Sequence, residues 1–192
     1  MKEELTPALP SPPRFFSLSA WTRWLLPLCV CAGAAFGTLW GGRCPLLPVE
    51  RTAELAAGNT RGLENYFWCL WCYAWPCLLA VFLSTTLLGV FLLPALFLLR
   101  GFLIAGSVAV LLRCGYSAET ACLAVGIPAV FSLTSFFLLG EESFCSAYSI
   151  YRTCLDRSRI RYSFVGFDRL LISVLLLSAA ALARQFLIPW IL

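Results

Sequence analysis

Arg100 is the residue whose type and setting most demand an explanation. It sits near the centre of an apolar run from Val90 to Leu112, roughly 15 Å from either end at about 1.5 Å of rise per residue. An arginine at the middle of a spanning helix costs about 2.5 to 3.5 kcal/mol on insertion scales and normally faces a bundle interior or another subunit. No carboxylate lies at matching depth in the sequence. Its candidate partners are backbone carbonyls freed by Pro94 or Pro128, the hydroxyls of Ser132, Thr134 and Ser135, or an acid on another protein. The plainer alternative is snorkelling of the side chain to an interface.

Other groups invite weaker chemistry. Cys69 and Cys72, with Cys77 beyond Pro76, have the spacing of a membrane thiol oxidoreductase. Reactivity needs thiolate, however, and apolar surroundings disfavour it. Trp68, Trp71, Cys72 and Trp75 share one helical face, so an aromatic packing stripe is the simpler expectation. Glu141 and Glu142 follow the fourth apolar segment as a boundary, a cation site, or contacts for the basic connector beyond. Arg184, within two turns of the outer end of the fifth span, reads as an interfacial anchor.

Catalysis has little to draw on. The chain contains no histidine, which removes the commonest general base and imidazole metal ligand. No acids stand at catalytic or metal-ligand spacing, and no nucleotide loop or nucleophile elbow is present. The expectation is a protein that is not an enzyme and carries no cofactor and no metal.

The elements that position these residues follow from composition. The 192 residues are 60% hydrophobic and 12% charged, against roughly 45 to 50% and 25% in a soluble domain. This predicts an all-α polytopic membrane bundle of about five transmembrane helices, spanning about 21–40, 66–86, 90–112, 120–139 and 170–190, after a polar tail over 1–20. The 47 apolar residues from Tyr66 to Leu112 suit two spans joined by a turn near Ser84 to Gly89. Pro128, after Gly126, is expected to kink the fourth helix. Gly140 to Arg169 reads as a polar connector, and the loop after Pro48 as a short surface helix.

Gly33, Gly37 and Gly41 recur every four residues on the first helix, a groove for helix packing. Ala32-Gly33-Ala34 also has the form of a signal-peptidase site. Of the ten cysteines, Cys29, Cys31, Cys69, Cys72, Cys77 and Cys122 lie inside apolar segments, and most of the ten read as small buried hydrophobes.

The net charge of +4 is uneven. Lys2, Arg14, Arg23, Arg152, Arg157, Arg159, Arg161 and Arg169 fall on one side of a five-span topology, against Arg43, Arg51, Arg61 and Arg113 on the other. By the positive-inside rule the N-terminus is cytoplasmic. The same distribution argues for lipid and against nucleic acid as the partner.

The order of landmarks resembles the bacterial stage II sporulation protein M family over most of the chain, from Leu25 onward. The likeness rests on Gly33-Ala34-Ala35-Phe36-Gly37, Tyr66-Phe67, Gly89, Leu98-Leu99-Arg100-Gly101-Phe102, Gly126-Ile127-Pro128, Gly140 and a last helix ending in Pro189. Departures occur at Ala129-Val130, where the family often has a polar pair, and at Ala105 beside Gly106. The resemblance implies a non-catalytic scaffold of the cell membrane, in the septal or forespore-engulfing region. It would localise and hold the peptidoglycan-degrading sporulation proteins D and P, with Gly33, Gly37, Gly41, Arg100, Gly101, Pro128, Glu141 and Glu142 as packing or partner residues. Self-association stays open. The alternatives are a permease or lipid-handling subunit built around Arg100, and the thiol oxidoreductase.

Overall fold

The computed structural model describes residues 16–40, 63–156 and 166–191. Five helices account for them: α1 (Phe16–Trp40), α2 (Leu63–Leu83), α3 (Gly89–Arg113), α4 (Ala118–Asp156) and α5 (Phe167–Ile191). Among the described residues there is no strand. Three of the helices contain stretches long and apolar enough to cross a membrane, Tyr66–Leu83, Gly89–Arg113 and Ala118–Cys154. Gly41, the Pro48 loop and the Arg157, Arg159 and Arg161 group lie outside the described residues.

The junctions have local causes. After Leu83 three hydroxyls turn back on the end of α2: Ser84 Oγ donates to Val81 O at 2.6 Å, Thr85 Oγ1 to Phe82 O at 2.8 Å and Thr86 Oγ1 to Leu83 O at 2.9 Å. Each of these carbonyls also accepts the backbone N–H of the same residue, at 3.1 to 3.2 Å, so the last turn of α2 tightens and is held twice over. The chain reverses at once, because Gly89 allows the Leu83 carbonyl to approach where a Cβ would stand. The turn therefore falls at the predicted Ser84 to Gly89.

The end of α3 is a Schellman motif. Tyr116 N–H donates to Leu111 O at 3.3 Å and Gly115 N–H to Leu112 O at 3.2 Å. Gly115 takes the left-handed φ of 89° that this cap requires. Ser117 then caps α4, its Oγ accepting from Thr120 N–H at 3.2 Å, and Glu119 adds a negative charge in the first turn.

Helix α4 departs most from expectation. It does not stop at Leu139; it runs 39 residues to Asp156, about 58 Å at 1.5 Å per residue, well beyond a hydrocarbon core of about 30 Å. The expected polar connector from Gly140 is helix as far as Asp156, and Glu141 and Glu142 lie inside α4 rather than after it. The reason is periodic: Phe136, Leu139, Gly140, Ser143, Phe144 and Ala147 are all buried, so one apolar stripe passes through the acidic pair at helical spacing.

The core lies between α2, α3 and α4, with Leu26 of α1 and Leu177 of α5 closing it. Phe97 is its centre, stacked on Phe136 at 4.1 Å between ring centroids and tilted against Phe137 at 5.2 Å. Gly140 lies directly beneath the Phe97 ring, which occupies the position of a Cβ. Pro128 is fully buried, and α4 is continuous through it.

Candidate functional site

Helices α1 and α3 meet along a glycine seam. A Cβ on Gly33 would fall on the Leu98 carbonyl, and one on Gly101 on the Val30 carbonyl; at Gly37 it would stand 2.5 Å from Phe102 O and 3.1 Å from Ala105 Cβ. Backbones approach this closely only where side chains are absent, the small-residue packing of membrane helices. The groove foreseen on α1 is thus a packing surface, and its occupant is the Arg100-Gly101 segment of the same chain. Gly33 and Gly37 are buried in that contact, so a partner helix cannot use them without displacing α3.

Gly101 faces α1, while Arg100, one residue away on a half-buried face, turns toward the other helices. Arg100 Nη2 donates to Ser132 Oγ on α4 at 3.3 Å, and the guanidinium lies 5.6 Å from the centroid of the Tyr73 ring on α2. Ser132 is one of the partners foreseen in the sequence. Its own hydrogen goes to Ala129 O at 3.2 Å, so it holds the arginine as an acceptor.

The second cation at this point is Arg184. Instead of anchoring at an interface as expected, it reaches inward from α5: Nη1 donates to Tyr73 Oη at 3.4 Å and the guanidinium lies 5.9 Å from the same ring. Aromatic quadrupoles attract cations at such distances, each by about 0.5 to 2 kcal/mol. Two like charges brought to one ring repel each other. Tyr73 therefore bridges two groups that would otherwise separate. Sequence reading missed Tyr73. The available signal was its place ten residues from each end of α2, on the face of Cys69, Cys77 and Ala80, which are buried.

The remaining candidates separate from this cluster. Glu142 Oε1 pairs with Arg169 Nε at 2.9 Å, and its Oε2 accepts from Gly166 N–H at 3.2 Å. Of the three roles considered for the acidic pair, contact with the basic connector is the one observed for Glu142, where it ties α4 to the start of α5. Partly exposed pairs of this kind contribute little to stability, about 0 to 1 kcal/mol. Trp68, Trp71 and Trp75 do share a face and are about half exposed on the outside of the bundle, with the Trp71 and Trp75 rings 5.7 Å apart. Cys69 is buried and Cys72 exposed, both as free thiols. Among the described residues no group of three or more His, Cys, Asp or Glu side chains could hold a metal.

A scan against protein-family models gives no match to this chain, and searches of curated proteins and of solved structures give none either.

Proposed function

We propose that the chain is a multi-pass protein of the bacterial cell membrane, with five transmembrane helices and a cytoplasmic N-terminus. On this reading it is a non-catalytic scaffold that localises and holds peptidoglycan-remodelling partners, the sporulation proteins D and P, during forespore engulfment. The observation that carries the reading is spatial. The landmarks of the family resemblance, Gly33 and Gly37 on one helix and Arg100-Gly101 on another, are distant in sequence yet form a single seam. Large apolar side chains on the outer surface, among them Trp24, Phe36, Trp71, Trp75, Phe82, Phe91 and Phe186, suit a lipid surround and helix partners within it.

Deletion of the gene from the sporulating source organism tests this. Membrane migration around the forespore is expected to arrest, as seen with a membrane dye, and wild-type protein supplied in trans is expected to restore it. Normal engulfment in the deletion strain would contradict the proposal.

One observation favours a second reading, a permease or lipid-handling subunit: two guanidinium groups converge on Tyr73 inside the bundle. Transport of a labelled solute or lipid by purified protein in liposomes would separate it from the scaffold.

A further inference from the structure

We infer that Arg100, Arg184 and Tyr73 form an intrabundle binding site for a phosphate group. The inference rests on this geometry and not on the engulfment reading. Four helices contribute: Tyr73 from α2, Arg100 from α3, Ser132 from α4 and Arg184 from α5. Arg100 is eleven residues from the start of α3 and Tyr73 ten from either end of α2, so the site lies at mid-height of the bundle.

Among the described residues neither guanidinium is paired with a carboxylate. Among the described residues each guanidinium makes one hydrogen bond, to a neutral hydroxyl, and shares the Tyr73 ring. On α4, Glu141 is nine residues from Ser132, about 13 Å along the axis. Glu142 is committed to Arg169 and Gly166. Ionisable groups inside membrane helices are ordinarily paired and mark ligand paths.

The donors that remain suit an oxyanion. A guanidinium carries five N–H groups in a planar fork that matches phosphate oxygens two at a time, and each of these spends one. Because Arg184 donates to Tyr73 Oη, the phenolic hydrogen is left to donate in turn. Ser132 has no hydrogen to give, since Ala129 O takes it. It is a positioning residue, holding Arg100 by its lone pair.

A phosphate group can arrive on a free solute or as the headgroup of an anionic phospholipid, and two arms of one experiment separate these. Full-length protein is placed in phosphatidylcholine nanodiscs and titrated with radiolabelled inorganic phosphate. In parallel, nanodiscs containing phosphatidylglycerol are analysed by native mass spectrometry for retained lipid. Saturable phosphate binding identifies a solute site, and selective phosphatidylglycerol retention a headgroup site.

In whichever arm binds, Arg100→Gln and Arg184→Gln are each expected to weaken affinity by about tenfold or more, the worth of a hydrogen bond to a charged group. Arg113→Gln, at the exposed end of α3, is expected to leave affinity unchanged. Tyr73→Phe keeps the ring and removes only the hydroxyl, so it provides a test should either arginine variant fail to fold. It is expected to weaken binding by about threefold to tenfold. Absence of binding in both arms, or wild-type affinity in the Tyr73 and folded arginine variants, would overturn the inference.

Discussion

Gly33→Leu is expected to abolish the native packing of α1. The Cβ alone would overlap the Leu98 carbonyl, and a backbone carbonyl within a helix cannot swing aside as the tip of a side chain can. Relief requires the two helix axes to separate, which forfeits contacts on both sides of the gap. Overpacking typically costs about 1 to 3 kcal/mol and occasionally more; with a main-chain obstacle and a branched side chain, a loss of about 3 kcal/mol or more is expected. The gain in helix propensity on replacing glycine, about 1 kcal/mol, does not offset it. Gly126→Ala is the matched control, because nothing stands within 4 Å of a Cβ there, and it is expected to be neutral or to stabilise by up to about 1 kcal/mol. Reversible denaturation in mixed micelles, followed by circular dichroism, measures both. Wild-type stability for Gly33→Leu would mean that α1 does not lie against α3.

The second large effect is expected at Phe97, fully buried, stacked on Phe136 and with the tip of its ring against Gly140. Phe→Ala in a core costs about 3 to 5 kcal/mol. Inside lipid the transfer part of that cost shrinks and lost packing dominates, so the lower end, about 3 kcal/mol, is expected for Phe97→Ala. Gly140→Ala should also destabilise, since its methyl would enter the Phe97 ring. Phe97→Leu clears that space, and the double variant Phe97→Leu with Gly140→Ala is expected to be more stable than the two single changes added together, by about 1 kcal/mol or more. The same denaturation assay closes the cycle. Strict additivity would mean that the ring does not cover Gly140.

Much of the fold was legible because its signals are local. Apolar length marks the helices, and the stretch from Ser84 to Gly89 marks a reversal. The continuation of α4 was missed because two adjacent glutamates after a glycine resemble a membrane boundary. The contrary evidence was the spacing of Phe136, Leu139, Gly140, Phe144 and Ala147, which keeps one buried stripe through them. A helix can leave a membrane without ending.

The site was half legible. Gly33, Gly37, Arg100 and Gly101 are each recognisable, and Ser132 is among the hydroxyls within reach of Arg100 by sequence. That the α1 groove takes α3 is a pairing between distant segments, which no local pattern states. The same holds for Arg184: its nearness to the end of the last helix suits an anchor, and only the packing of α5 beside α2 brings it to Tyr73. Tyr73 itself carries no sequence signal beyond a position on the buried face of an aromatic-rich helix.

The most direct test of the scaffold proposal is recovery of the affinity-tagged full-length protein from sporulating cells of its source organism, in mild detergent, with mass spectrometry of everything that accompanies it. The account predicts that a membrane-anchored peptidoglycan hydrolase is recovered with the wild-type chain and is lost with Gly33→Leu. Recovery of the chain alone, or with proteins unrelated to the cell wall, would contradict it.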